Sequence, residues 1–563
     1  MKKYFCCILL TVVVIQLFGN FEKDELRERL YAQTDKYLYL AGEPILMKLL
    51  TTNAEQIPLV FSKVAYVELI GDSVARLQIK VELSDGIGAG LMLLPVDLPT
   101  GFYRLIAYTQ FMRNEGIDVF FEKNIAVLNA FQSGYQPGEQ KMATEIISLS
   151  DKKNTSGAIS LQVDKATYTT RDRGELILIG LPENIHTLSV SITGKEILPV
   201  TENSASLFRN NITKKTTEFI GKFIPEYEGH IIMGKIIDNQ TEKEVIDEQS
   251  LISGISFPGD KIRFFSGRKT ETGDVSFVAS GISGMNEIAS VILSEGEKYR
   301  VDIQSPFVTQ YVPKPMPAFY IDSAYYRQLL ARSVALQAFR YFSEDPSENR
   351  NVSKPYIKMK PSVSYPLDEY TRFTTMQEVF IEFIEGARFR RNAGKQEISV
   401  FAKRGDYYNY GTTMPLVLLD GVPISDHDVI YNYNPLSVEQ INVYYGPCVL
   451  GGRIFDGIVE LITYRRLRQD LSLNKSTQII PYEGPQLPYQ LNTPDYSDDK
   501  NRNNRIPDGR HTLLWNPDVR TKGKNSIRLP FNTSDLTGEF QATMEGITND
   551  GEFIFETSFF KVE

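Results

Sequence analysis

Short apolar runs separated by turn-forming residues dominate the chain. From Leu30 to Asn129, runs rich in Val, Ile, Leu and Tyr are interrupted about every 8 to 12 residues by Gly, Pro, Asn or Asp. Val64 to Ile70 is predicted to form a half-buried strand. This spacing predicts a β-sandwich over residues 27–130.

The same pattern recurs later in the chain. Asp164-Lys165-x-x-Tyr168 repeats the spacing of Asp35-Lys36-x-x-Tyr39, and the strands around it predict a second sandwich over 157–225. Residues 226–310 predict a third, with a turn at Thr272-Gly273-Asp274. The tail, 478–563, resumes the strand pattern and is expected either to form a fourth sandwich or to complete an earlier one.

Two segments have helical periodicity. Over 320–345, apolar residues recur at helical spacing and Arg332 interrupts their stripe, which favours a helix that docks on another element. Thr375 and Glu378 have the spacing of a capping box, which predicts a helix running from there to Ile384.

A small α+β domain is predicted over 366–466. It would include a strand pair, Ala387–Arg391 with Ile398–Phe401, and a strand ending at the tight turn Asp420-Gly421. Residues 434–441 are predicted to form a short helix that leads into a strand ending at Tyr445. The glycines that follow predict a loop before a last strand, Ile458–Tyr464; they are Gly446, Gly451, Gly452 and Gly457.

The predicted fold class is therefore mainly β and multidomain, with several immunoglobulin-like or macroglobulin-like sandwiches and a small α+β domain. The first block resembles the macroglobulin domain of the alpha-2-macroglobulin family on two stretches, Gln33 to Glu43 and Leu94 to Thr109. The third sandwich also resembles the carboxypeptidase-regulatory type. These resemblances imply structural domains that carry no chemistry of their own.

Pro415 to Tyr464 resembles the plug of a TonB-dependent receptor, most closely the starch-utilisation type, in its Leu-Asp-Gly-Val-Pro hairpin and glycine spacing. Such a receptor continues into a barrel of about 22 strands. The residues after 466 are too few for that barrel, so transport through this chain alone is not expected. The resemblance implies a Gram-negative envelope protein with an orphan plug-like domain.

The beginning of the chain has the layout of a secretory signal peptide over 1–20. Lys2 and Lys3 precede an apolar run, Phe5 to Ile15, that is too short to span a bilayer. We expect export to the periplasm or outer membrane, with peripheral or no membrane insertion. Cys448 would then be the remaining cysteine, and it is expected to be a buried, inert thiol.

Charge and aromatic residues suggest where a partner could bind. A net charge of −9 without a basic stripe gives no support for nucleic-acid binding. A basic run in the predicted hairpin would face an anionic surface or simply solvent; it comprises Arg388, Arg390 and Arg391. Four tyrosines are candidate contacts, although they could equally be core residues: Tyr407, Tyr408, Tyr431 and Tyr433.

Catalytic chemistry finds little support. The four histidines fall in different predicted domains, so no metal site, cofactor or catalytic triad is expected. Ser73 with Asp508 and His511 imitates the motifs of a hydrolase, but Ser73 lies between two strands instead of before a helix. Covalent protease trapping needs a thioester motif that Cys448-Val449-Leu450 does not supply.

The expected function is a noncatalytic envelope interaction or scaffold protein that binds an envelope protein or outer-membrane complex through its sandwiches and plug-like domain. One alternative is a macroglobulin-like protease inhibitor without a thioester, with 132–157 or 346–366 as a bait segment. A second alternative is a component that assists a TonB-dependent uptake system.

Overall fold

The computed structural model describes residues 27–132, 159–195, 204–212, 219–246, 250–259, 262–270, 272–294, 297–315, 329–330, 332–337, 359–404, 407–410, 414–464, 476–489 and 491–563. The chain divides into two compact units. The first is Met1–Tyr227, Phe307–Arg350 and Pro485–Glu563, and the second is Glu228–Pro306 and Asn351–Gly484. As predicted, the described chain is mainly β.

Strands β1 to β19 are Arg29–Thr34, Leu38–Leu40, Pro44–Thr52, Val64–Gly71, Val74–Glu82, Ile87–Leu93, Gly101–Tyr108, Phe121–Leu128, Ser160–Val163, Thr167–Tyr168, Arg173–Ile179, Ile185–Gly194, His230–Asp238, Ser253–Ser256, Phe264–Ser266, Arg268–Lys269, Val275–Ala279, Met285–Ile292 and Tyr299–Ile303. Strands β20 to β32 are Val363–Pro366, Ala387–Asn392, Lys395–Arg404, Tyr407–Tyr410, Leu416–Leu419, Val422–Pro423, Val438–Leu450, Arg453–Thr463, Thr477–Glu483, Thr512–Asn516, Ser526–Asn532, Gly538–Thr548 and Phe553–Val562. Helices α1 to α4 are Ser204–Ile212, Met376–Glu382, Asp428–Tyr431 and Asp499–Arg502.

The first sandwich pairs a sheet of order β2-β8-β7-β4-β5 with a sheet of order β1-β3-β6. A later residue, Gln486, bonds both sheets where their edges meet. Its backbone donates to Lys80 O and accepts from Glu82 N on β5, and its side-chain oxygen accepts from Leu91 N on β6. One extended residue thus satisfies backbone groups on two edge strands at once.

The second sandwich is assembled from two distant parts of the chain. Its sheets have the orders β10-β32-β31-β12-β29 and β30-β11-β9, so that in each sheet strands from 159–195 pair with strands from 512–562. The tail therefore completes earlier sandwiches, which is one of the two outcomes left open by the sequence: β29 to β32 join the second sandwich, and β28 joins the third. The core is continuous across both parts and includes Leu176, Val190, Phe531 and Phe560.

The repeated Asp-Lys-x-x-Tyr motif forms the same corner in both sandwiches. Tyr39 donates its hydroxyl to Asp35 at 2.7 Å, and Lys36 N donates back to the Tyr39 hydroxyl at 3.0 Å. In the second corner Tyr168 donates to Asp164 at 2.6 Å, and Lys165 N donates to Tyr168 at 3.2 Å. The sequence repeat thus encodes one local structure twice.

The two corners differ in what their acidic residue binds. Glu43 accepts from Lys36 at 3.1 Å and from both Nη2 and Nε of Arg332, at 2.7 and 3.0 Å. Asp172, at the same spacing from Lys165, accepts from that lysine at 2.9 Å and lies on the surface side. Burial raises the pKa of Glu43, but the charges of Arg332 and Lys36 outweigh burial, so the pKa lies below its usual value.

Arg332 belongs to helical residues 329–330 and 332–337, which we call the capping helix. Its Leu329 packs with Leu38 and Leu40 on the outside of the first sandwich. The matching positions of the second sandwich are Thr167 and Thr169, which are exposed. The capping helix packs on the first corner because the outer surface there is apolar. Arg332, which interrupts the apolar stripe of the helix, forms an ion pair with Glu43.

The second unit combines the third sandwich with a larger sheet, which we call the plug-like sheet after the resemblance noted in the sequence. The sandwich has sheets of order β16-β17-β13-β19 and β15-β14-β18-β28, and the larger sheet has the order β21-β22-β26-β27-β24-β25. Both faces of β24 are buried, because Val417 packs toward α2 and Leu418 packs toward Phe264 of β15. This explains the unbroken apolar run of β24, since a strand covered on both sides shows no alternation.

Local signals in the plug-like domain were read correctly in two places and incorrectly in two. The Thr375–Glu378 capping box begins α2, and Asp420-Gly421 forms the turn between β24 and β25. The predicted helix over 434–441 is only a 3-10 turn, Pro435–Ser437, because β26 already begins at Val438.

The predicted glycine loop after Tyr445 was also wrong. Strand β26 continues through Gly446 to Leu450 and pairs with β27 across a turn at Gly451-Gly452. A Cβ atom at Gly446 would lie 2.4 Å from the carbonyl carbon of Asp456, so glycine here allows two strands to approach closely. The glycine pattern predicts a loop because glycine at a loop position and glycine at a close strand contact look alike in a single sequence.

The two corners provide a matched stability test. We predict that Glu43→Gln lowers the free energy of unfolding by about 3 to 5 kcal/mol, because it leaves Arg332 buried without its counter-charge. Asp172→Asn should cost less than about 1 kcal/mol, since Lys165 is solvated. Denaturant titration of the full chain measures both values, and equal losses would contradict the assignment.

Candidate interaction surface

Strands β21 and β22 form a hairpin at one end of the plug-like sheet. They pair from Ala387↔Val400 to Asn392↔Lys395 and are joined by the two-residue turn Ala393-Gly394, with φ of 46° and 89°. Positive φ at both turn residues is the geometry that matches the twist of a two-stranded hairpin. The confirmed hairpin fixes the direction of every side chain along β21.

Alternation divides the basic run between two faces. Arg388 and Arg390 lie on one face, whereas Phe389 and Arg391 lie on the other. Phe389 packs inward, with its ring 4.5 Å from that of Phe380 and 5.1 Å from that of Tyr431. The three arginines therefore do not form one basic patch.

The face that carries Arg388 and Arg390 also carries aromatic residues from neighbouring strands. The guanidinium of Arg388 lies 3.6 Å from the ring centre of Tyr410, and the Tyr410 ring is 4.5 Å from that of Phe401. Such a cation on an aromatic face contributes about 0.5 to 1 kcal/mol at an exposed site. We call the surface formed by Arg388, Arg390, Lys395, Glu397, Phe401 and Tyr410 the hairpin face.

An open cleft of about 620 Å³ adjoins the hairpin face. Arg390 donates to Glu397 at 3.0 Å on its wall, and Lys395 approaches Asp426 at 3.6 Å. The cleft also includes Glu297, His427 and Ser425. Its lining is mixed in charge and mostly polar, which suits a polar polypeptide better than an apolar small molecule.

The side of β22 that faces away from β21 is closed by side chains of the segment that begins α3. Ile398 N donates to Nδ1 of His427, and Gln396 N donates to Oδ1 of Asp428, each at 2.9 Å. Because Nδ1 accepts, the neutral ring carries its proton on Nε2. Burial lowers the pKa of His427 to about 4, since the interior disfavours the charged ring more than nearby carboxylates favour it.

The tyrosines predicted as contacts have different surroundings. Tyr407, on β23, is 75% exposed. Tyr431 is half-buried and donates its hydroxyl to Gln377 at 2.6 Å, and the half-buried Tyr433 packs against the domain core. Tyr408 pairs with Lys403 in the ladder, and its side chain lies outside the described residues.

Several residues of this surface were missed in the sequence. Glu397 and Phe401 share a face with Arg388 and Arg390 only because of the β21–β22 register, which period-two alternation of both strands would have indicated. His427 gave no signal, because its role depends on which backbone N–H it meets after folding.

Residues singled out for chemistry elsewhere have structural surroundings. Ser73 occupies the turn between β4 and β5, and the Asp508 carboxylate accepts from Arg510 and Tyr496. Cys448 is buried as predicted, and burial raises the pKa of its thiol. Among the described residues, no group of three His, Cys, Asp or Glu could hold a metal ion.

Two sequence predictions lie wholly or mostly outside the described residues: the signal peptide over 1–20 and the bait segments 132–157 and 346–366. Within the part of the chain that the structure describes, no helix has the length and apolar character needed to cross a bilayer.

No protein-family model matches the chain, and no curated protein matches it. Among solved structures, it is similar to the native conformation of Escherichia coli alpha-2-macroglobulin, with 10% identity, 95% of this chain and 40% of that chain covered, and a TM-score of 0.24. It is also similar to Salmonella alpha-2-macroglobulin reacted with methylamine, with 11% identity, 96% of this chain and 40% of that chain covered, and a TM-score of 0.24. For the Escherichia coli adhesin FdeC, the identity is 10%, the covered shares are 49% of this chain and 64% of that chain, and the TM-score is 0.14.

The chain spans about 40% of the length of these alpha-2-macroglobulins. Identities near 10% with these TM-scores assign neither residue roles nor an activity to this chain.

The half-buried His427 makes the second unit sensitive to acid. An unfolded histidine binds a proton near pH 6.5, whereas folded His427 does so only near pH 4. We predict that its contribution to the free energy of unfolding falls by about 1.4 kcal/mol per pH unit as the pH drops between these values, and is constant above them.

His427→Asn supplies the control, because an amide oxygen accepts from Ile398 N without titrating. Denaturant titrations of both full-length chains at pH 7.5, 5.5 and 4.5 separate the contribution of His427 to the pH dependence of the free energy of unfolding from that of the carboxylates. Parallel pH profiles of the two chains would contradict the prediction.

Proposed function

We propose that this chain is a noncatalytic interaction protein of the cell envelope that binds a protein partner through the hairpin face of its plug-like domain. The observation that carries the proposal is the grouping of Arg388, Arg390 and Tyr410 on one accessible face beside a cleft of about 620 Å³. Arginine and tyrosine are, with tryptophan, the residue types enriched among the energetically dominant residues of protein interfaces.

The charge distribution supports this choice of surface. The chain carries a net charge of −9, whereas the hairpin face carries three cations, Arg388, Arg390 and Lys395, and one carboxylate, Glu397. Arg390 keeps about half of its side chain exposed despite its ion pair with Glu397. A local positive surface on an acidic protein orients an acidic partner and speeds its encounter.

The envelope location rests on the sequence. Residues 1–20 have the layout of a signal peptide, and 415–464 resemble a receptor plug. Protease inhibition and assistance to an uptake system have no supporting contact among the described residues, so neither is put forward as a second function.

Site-specific photocrosslinking in cells tests the proposal. A benzoylphenylalanine at Lys395, beside the cleft, should give a discrete crosslinked species, whereas the same group at exposed Lys522 of the first unit should not. Changing Arg388 and Arg390 together to Gln should weaken capture by about tenfold, since each exposed ion pair contributes at most about 1 kcal/mol. Identical patterns from 395 and 522, or none from 395, would refute the assigned surface.

A further inference from the structure

We propose that β21 is an acceptor edge, and that the partner adds an extended segment with acidic residues at alternate positions as one more strand of the sheet. This inference rests on the proposed function, because it states how the hairpin face holds its partner. It concerns the backbone of β21, which the side-chain argument above does not use.

The ladder shows which backbone groups of β21 point outward. Phe401 N donates to Gly386 O at 2.7 Å, so these two residues form a hydrogen-bonded pair. Such pairs alternate along an antiparallel ladder. Arg388 and Arg390 therefore direct their N–H and C=O groups toward β22, and Phe389 and Arg391 direct theirs away from it.

The other side of the hairpin supports the same alternation independently. The N–H groups of Gln396 and Ile398 point away from β21, and each meets a side-chain acceptor on the segment that begins α3. Among the described residues, β21 pairs only with β22. One edge of the hairpin is thus closed by side chains, while the other presents a donor and an acceptor at every second residue.

The charges on β21 determine which kind of strand it can accept. Three of its six residues are arginines, so a second copy of the same edge would be repelled. An acidic segment would be attracted instead, because its carboxylates would lie beside Arg388 and Arg390. Strand addition draws its affinity from main-chain hydrogen bonds and its specificity from alternate side chains.

The alternation also predicts the sequence pattern of the occupant. Side chains of an added strand point in turn to the hairpin face and to the face that carries Phe389. Acidic residues suit the first set of positions, and apolar residues suit the second, next to the Phe389 ring. The chemical class is therefore an extended polypeptide that alternates acidic and apolar residues.

Three synthetic octapeptides test strand addition to β21, with binding to the full chain measured by fluorescence anisotropy. Alternating Glu-Val should bind at least about tenfold more tightly than alternating Glu-Pro, which has the same charge but lacks every second N–H. Alternating Lys-Val should not bind. In the bound state, hydrogen exchange should slow at the amides of Phe389 and Arg391.

Equal affinity for the Glu-Val and Glu-Pro peptides would overturn strand addition and leave the hairpin face as a purely electrostatic surface. Failure of every peptide to bind would also overturn it, while the crosslinking at Lys395 decides the proposed function separately. Dimerisation of the chain that protects the same two amides would assign the edge to a second copy and refute the acidic segment.

A pair of substitutions at Arg391 separates the backbone from the charge. Arg391→Ala removes the guanidinium and keeps the N–H, whereas Arg391→Pro removes both. Because this N–H points away from β22, proline breaks no bond of the hairpin and is tolerated at such an edge position. Arg391→Pro should bind the Glu-Val peptide about five- to tenfold more weakly than Arg391→Ala. Equal binding by two variants of unchanged thermal stability would contradict the proposal.

Discussion

Every β-strand carries hydrogen-bonding groups along both of its edges, and the need to satisfy them explains much of this structure. Where the two sheets of the first sandwich meet, Gln486 bonds to strands of both. In the plug-like domain, His427 and Asp428 satisfy the backbone of β22. By contrast, the outward N–H and C=O groups of β21 are those to which we propose that another strand adds.

Local sequence patterns were sufficient for elements whose structure is determined by neighbours in the chain. The Asp-Lys-x-x-Tyr spacing indicated two equivalent corners, and both form the same hydrogen bonds because all the partners lie within a few residues. The capping box at Thr375 was readable for the same reason. The glycines after Tyr445 were misread because close approach of β26 and β27 involves a partner strand that the local pattern does not reveal.

The interaction surface was only partly predictable. The sequence indicated a basic hairpin but treated Arg388, Arg390 and Arg391 as one group, whereas strand alternation places Arg391 on the opposite face. For Tyr431 and Tyr433 the sequence allowed either a contact or a core position, and both are half-buried against the domain core. Composition alone cannot separate such cases, because the same aromatic residues serve in cores and at interfaces.

The second sandwich interleaves strands from 159–195 with strands from 512–562, and this has a consequence for synthesis. A ribosome delivers β9 to β12 long before β29 to β32, so the early strands have apolar faces without a sheet to cover them until the tail emerges. The second sandwich therefore cannot be completed until the end of the chain has been synthesised. Pairing of strands so far apart in sequence is intrinsically slow. A chaperone that covers the apolar faces of β9 to β12 would act in the interval before β29 to β32 are synthesised.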